Sequence, residues 1–175
     1  LVDGRSGNRG ACAGSCRLPY DIVDKNNTVL NKTKKYPLSM KDLCAISSIG
    51  KLMDIGVNSF KIEGRMKSKE YVYLVTKLYR KAIDSYLEKQ EVTIDYEILD
   101  KLKKVFNREY TLGFLNNVSN NDVINGKQPN NVGVKIGSVV KLTKTNALIK
   151  LEDELHIGDG LRIKGPVGEI GTVVN

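Results

Sequence analysis

A chain of 175 residues with 41% hydrophobic and 27% charged side chains has the composition of a globular protein. It can form one large domain or two small ones, but is too short for a (β/α)8 barrel of about 250 residues plus a separate tail. No apolar run approaches the roughly 20 residues that span a bilayer, and no signal peptide is visible, so no membrane protein is expected. The net charge of +8 and pI near 9.3 allow attraction to polyanions such as RNA, a property shared with any basic solvated surface.

Residues 5–20 open the chain with two cysteines, Cys12 and Cys16, in a frame rich in glycine and arginine. Gly7, Gly10 and Gly14 permit backbone conformations in which successive amides converge on an anion or a cluster sulfur. Arg5, Arg9 and Arg17 offer planar donor forks and are candidate anion-binding residues. Next, residues 18–23 and 28–31 flank the turn-forming run Asp24-Lys25-Asn26-Asn27 and predict a hairpin. Pro37 interrupts regular structure, and Ser39 with Asp42 reads as a helix start.

Ile46, Ile49, Leu52 and Met53 recur at helical spacing and predict a helix over 45–54, with Gly56 just past its end. Residues 59–62 read as a short buried strand. Glu63 and Arg65 follow at its carboxyl end, where α/β folds place functional groups. Ser68 is suited to cap a long amphipathic helix carrying Val72, Val75, Leu78, Tyr79, Ile83, Tyr86 and Leu87. A further helix is expected over 96–106, and residues 108–114 read as a strand or an irregular lid. Residues 116–131, rich in Asn, Gly and Ser, read as a linker. Short strands are expected over 135–142, 147–151, 161–164 and 169–174. The expected architecture is an incomplete α/β layer over 1–115 and a small all-β barrel over 132–175.

The chain's three cysteines, Cys12, Cys16 and Cys44, form an odd set that argues against a disulfide framework and falls one ligand short of a four-cysteine site. Zinc completed by His156 is disfavoured, because the chain's one histidine lies in the distant β-rich tail. Glu63 could accept a proton or hold a cation, and Arg65 could clamp a carboxylate or phosphate, or the two could form a structural network. For hydrolysis there is no Ser/His/Asp arrangement and no HExxH. A Cys12 or Cys16 nucleophile activated by nearby arginine would still lack a general base.

The opening frame resembles the signature region of the collagenase-like peptidase family U32. The likeness continues through Tyr36-Pro37-Leu38-Ser39-Met40-Lys41-Asp42-Leu43-Cys44 and Gly56-Val57-Asn58-Ser59-Phe60-Lys61-Ile62-Glu63-Gly64-Arg65. It extends to the helical stretch containing Tyr79-Arg80-Lys81-Ala82-Ile83-Asp84, covering about half of the chain in the family's order. Departures are Asn58 in place of an acid and Gly14-Ser15 in place of Gln-Pro.

The resemblance implies a TIM-barrel-like domain of which residues 1–115 would be the C-terminal part, so the chain is expected to be a piece of a larger protein. It further implies a 4Fe-4S cluster in the full-length protein, held by Cys12 and Cys44, with Cys16 a possible ligand. A cysteine pair upstream of this chain would complete it, and no cluster is expected in the fragment. The implied activity is iron–sulfur-dependent hydroxylation of tRNA or rRNA in the cytoplasm. Alternatives are proteolysis of collagen-like or other peptides and a non-catalytic binding module. The run Ile157-Gly158-Asp159-Gly160-Leu161-Arg162-Ile163 is similar to a turn of small translation-factor-type β-barrels, implying RNA docking by the tail.

Overall fold

The computed structural model describes residues 3–115 and 122–175. They fall into two compact units, Leu1–Gly133 and Val134–Asn175. In the first, the core is a pair of helices. Helix α2, Lys69–Lys89, starts where the Ser68 hydroxyl accepts the Tyr71 amide at 3.2 Å, as its capping role predicts. It ends at Gln90, which adopts a left-handed φ of 57° and returns its amide to the Tyr86 carbonyl. Helix α3, Tyr96–Val105, is capped by Asp95, whose carboxylate accepts the Ile98 amide at 3.0 Å and pairs with Lys81 of α2 at 2.7 Å.

Val75, Leu78 and Ala82 of α2 face Ile98, Leu99 and Leu102 of α3, and Ile46 joins them. Each such leucine or isoleucine, fully buried, contributes about 1.5–3 kcal/mol. Helix α1, Ile49–Asp54, follows a 3-10 turn at Ile46–Ser48 within the expected helical segment. It lies so close to α2 that a Cβ on Gly50 would sit 2.7 Å from the Tyr86 ring, so only glycine fits without displacing that ring. Gly56 follows the helix at a φ of 90°.

Strand β1, Asp42–Leu43, pairs in parallel with β2, Tyr110–Thr111, placing Asp42 opposite Tyr110. Asp42 therefore does not start a helix. Its amide donates to Glu109 O at 2.9 Å, while the neighbouring Lys41 amide donates to Val123 O at 2.9 Å, so the backbone is extended and bonded on both sides. Ser39 is buried and not a cap. The hairpin expected at 18–31 is rudimentary: one Val23/Val29 bridge closes a turn in which Asp24 Oδ1 accepts the Asn26 and Thr28 amides. The buried strand expected at 59–62 is irregular, with Ser59 and Lys61 exposed and Phe60 and Ile62 half-buried. Among the described residues no strand lies beside it to bond with.

Residues 116–121 of the expected linker lie outside the described residues. From residue 122 on, the segment is bound into the first unit rather than free. Val123 is buried, Ile124 bridges Met40, the Asn125 amide donates to Ser39 O at 2.8 Å, and Asn131 Oδ1 accepts the Asn107 amide at 2.8 Å. The asparagines serve as hydrogen-bond partners, and the boundary falls after Gly133.

The second unit has four strands close to the expected positions: β3, Gly137–Leu142; β4, Ala147–Leu151; β5, Gly160–Lys164; and β6, Glu169–Val173. They form two separate antiparallel hairpins, β3/β4 with an irregularity between Val139 and Lys141, and β5/β6. Neither hairpin bonds the other through its edges, so the expected closed barrel is not formed by the described residues. In the first unit the one ladder described is the β1/β2 pair, which with the helices makes an α/β mix. Among the described residues no helix is long and apolar enough to cross a membrane.

Candidate functional site

The opening loop is shaped by its glycines and arginines. Gly14, at a φ of 67°, heads the 3-10 turn Ser15–Arg17, and its amide donates to Cys12 Sγ at 3.3 Å. Arg5 Nη2 donates to the Cys12 carbonyl at 2.6 Å, so this arginine braces the loop. Arg9 lies in the last turn of the 3-10 helix Gly7–Arg9 and is exposed. Cys12 and Cys16 are exposed thiols.

Arg17 turns inward. Its Nη1 donates to Ser39 Oγ at 2.7 Å and to Met40 O at 2.6 Å, which fixes the guanidinium just before β1. Asp42 of β1 accepts Arg108 Nε at 3.0 Å and Nη2 at 2.5 Å, both on Oδ1, and these side chains are only 16% and 24% exposed. Asp42 Oδ2 is buried without a hydrogen-bond partner among the described residues. Lys67, in the turn before α2, places Nζ 2.8 Å from the Phe106 ring centroid and 5.3 Å from that of Tyr71. The Arg108 guanidinium is 5.2 Å from the same Phe106 centroid.

These charges act on one another. Burial lowers the Lys67 pKa, helped by Arg108 and Arg17 and opposed by Asp42. Burial likewise lowers that of Arg17, followed by repulsion from Arg108, while Cys16 and Asp42 oppose. Three cations thus gather around one carboxylate, with Cys16 beside Arg17.

Cys44 borders the same cluster from the core side. Its amide donates to Thr111 O at 2.8 Å, and its half-buried thiol packs against the helix pair. The Tyr79 hydroxyl accepts the Ala45 amide at 2.9 Å and donates to Cys44 Sγ at 4.0 Å. Burial, and after it electrostatic repulsion from the neighbouring Cys44, push the phenols of Tyr79 and Tyr110 upward; burial and then Asp42 do the same to Tyr71. The ring of Tyr79 also lines an open cavity of about 530 Å³ with Met53, Phe60, Ile83 and Leu87.

Glu63 and Arg65 are exposed, and Glu63 comes only within 4.0 Å of Lys61. Neither makes a hydrogen bond or ion pair with the Arg17–Asp42–Arg108 network among the described residues. His156, in the second unit, is exposed and lies 3.8 Å from Glu154 and Asp159. The sequence reading missed Asp42, Lys67, Phe106 and Arg108 as one group. Asp42 and Lys67 stood in runs already singled out, but the partners are brought together by tertiary structure across 66 residues, which no local spacing signals.

Among the described residues no three His, Cys, Asp or Glu side chains converge as a metal site. The thiols present do not by themselves fit a four-iron cluster, which takes four thiolates.

The model of Peptidase family U32 matches residues 1–125. Similar proteins include a 23S rRNA 5-hydroxycytidine synthase of Escherichia coli (strain K12), 35% identical over 167 residues, or 91% of this chain and 25% of the relative. A collagenase of Porphyromonas gingivalis is 36% identical over 171 residues, 92% of this chain and 41% of the relative. The tRNA hydroxylation protein P of Escherichia coli is 32% identical over 218 residues, 97% of this chain and 48% of the relative. The chain therefore spans between a quarter and a half of the length of these relatives. No solved structure gives a significant match. The signature loop, β1 with Cys44 and the segment leading into α2 all lie within the matched residues, and the chain belongs to peptidase family U32.

Proposed function

We propose that the intact protein hydroxylates bases of tRNA or rRNA in the cytoplasm, and that this chain supplies thiols and cationic groups to that activity. The observation that carries the reading is the convergence of Arg17, Lys67 and Arg108 on Asp42, with Cys16 beside Arg17 and Cys44 following Asp42 closely in the chain, all within the residues that the family model matches. Hydroxylation of rRNA and tRNA is named for two of the relatives above. In the proposed whole protein, residues 1–115 complete a TIM-barrel-like domain. Cys12 and Cys44 serve as cluster ligands, joined by cysteines from outside these residues.

A test uses a deletion strain complemented with the intact protein or its Cys12→Ser and Cys44→Ser variants. The expected result is loss of hydroxylated nucleosides with each variant, together with loss of protein-bound iron and sulfide. Full hydroxylation by both variants would refute the thiol assignment.

Peptide hydrolysis is the second reading, favoured by the collagenase named among the relatives. Cleavage of gelatin or peptides by the purified intact protein, lost on substitution of Glu63 or a cysteine, would establish it.

A further inference from the structure

We infer that Arg17, Lys67 and Arg108 form a cradle for a phosphodiester of the RNA backbone; this rests on the RNA reading above and gives it a location. Both guanidiniums are held by the fold with donors to spare. Arg17 spends Nη1 on Ser39 Oγ and Met40 O, while Arg108 spends Nε and Nη2 on Asp42 Oδ1. Cys16 takes one further Arg17 donor, so the rest of Arg17 Nε and Nη2, together with Arg108 Nη1, remains to donate. Lys67 rests against the Phe106 ring and has no carboxylate within ion-pair distance among the described residues, so the N–H donors that do not face the ring are available as well.

Charge balance points the same way. Three partly buried cations face a single carboxylate, leaving the cluster with an excess of two positive charges. Burial and mutual repulsion act against Arg17 and Lys67 in the free protein. An arriving phosphate removes that repulsion and supplies acceptors for the spare donors. Asp42 acts as a positioning residue: it orients Arg108, and its other oxygen is sealed from solvent.

The distribution of charge selects this unit over the β-rich one. Residues 134–175 hold six lysine and arginine side chains against five acids, leaving 22 against 15 on residues 1–133. The electrostatic attraction for a polyanion therefore belongs mainly to the first unit, whereas the likeness of the 157–163 turn to RNA-binding barrels had pointed to the second.

The test measures binding of the intact protein to a fluorescein-labelled single-stranded RNA by anisotropy over a range of salt concentrations. Lys67→Gln and Arg17→Gln are each expected to weaken binding roughly 3- to 30-fold at low salt. Each should also reduce the slope of log K against log salt by about 0.7, the value for one single-strand phosphate contact. Lys67→Arg should keep the slope, and Lys144→Gln, on the turn between β3 and β4, should leave it unchanged. Circular dichroism melting of every variant separates misfolding from contact loss. RNA binding with wild-type slopes in Lys67→Gln and Arg17→Gln, both folded, overturns the cradle while leaving the RNA reading standing. No RNA binding by the wild-type intact protein overturns both.

Discussion

Tyr79 of α2 reaches across to Cys44 of the segment following β1, accepting the adjacent Ala45 amide at 2.9 Å and facing the sulfur at 4.0 Å. One phenol thereby ties the core helix to the candidate thiol. Tyr79→Phe removes the acceptor of a partly buried amide and the donor to the sulfur while keeping the ring. The expected cost is about 1–3 kcal/mol in urea denaturation, with faster alkylation of Cys44 by a thiol reagent. Unchanged stability and unchanged alkylation would show that the hydroxyl is not holding this segment.

Tyr79 and, with it, Tyr110 are expected to make stability fall at alkaline pH. Tyr79 and Tyr110 are pushed upward from the ordinary phenol value of 10.0, first by burial and then by Cys44. The unfolded chain releases these protons near pH 10, whereas the folded protein retains them, so above that pH the folded state binds more protons and stability falls. Below pH 10 the contribution is fully present. Tyr79 adds at most about 1.4 kcal/mol of loss per pH unit above 10, and the more exposed Tyr110 less, because solvent screens it. Urea midpoints measured from pH 8 upward should show a flat region and then a decline, shallower in Tyr79→Phe. An equally steep decline in that variant would show that the Tyr79 hydroxyl does not contribute to it.

Asp42 and Arg108 form the ion pair on which the cation cluster is organised, at 16% and 24% side-chain exposure. Breaking a fully buried pair costs about 3–5 kcal/mol, and this one, partly wet, is expected to cost about 2–4. The two halves are not equivalent. Asp42→Ala leaves Arg17, Lys67 and Arg108 with no carboxylate among them, whereas Arg108→Ala leaves Asp42 with two cations near it. Denaturation should show the larger loss for Asp42→Ala, and added salt should restore part of it by screening. Equal losses without salt dependence would mean that packing, not charge, dominates the site.

The helices were legible because their signals are local: Val75, Leu78 and Ala82 share one face of α2, and Ser68 stands one residue before its start. The strands of the second unit were legible from their alternating pattern and their turns. Asp42 was misread because Ser39 and Asp42 have the side chains of a helix start, while what places Asp42 in a strand is Tyr110, far along the chain. Residues 59–62 have the composition of a buried strand but no neighbouring strand among the described residues. Asn125 and Asn131 were read as linker composition, although their side chains and backbone bind the segment to Ser39 and Asn107. The thiols and Arg17 were visible in sequence. Their cationic neighbours Lys67 and Arg108 come from separate stretches that only the tertiary fold brings together.

Mass spectrometry of nucleosides from purified tRNA and rRNA decides whether the intact protein hydroxylates RNA. A deletion strain should lose one or more hydroxylated pyrimidine nucleosides present in the parent, and the wild-type gene should restore them. Identical nucleoside profiles in parent and deletion strains, over both RNA classes, would contradict it.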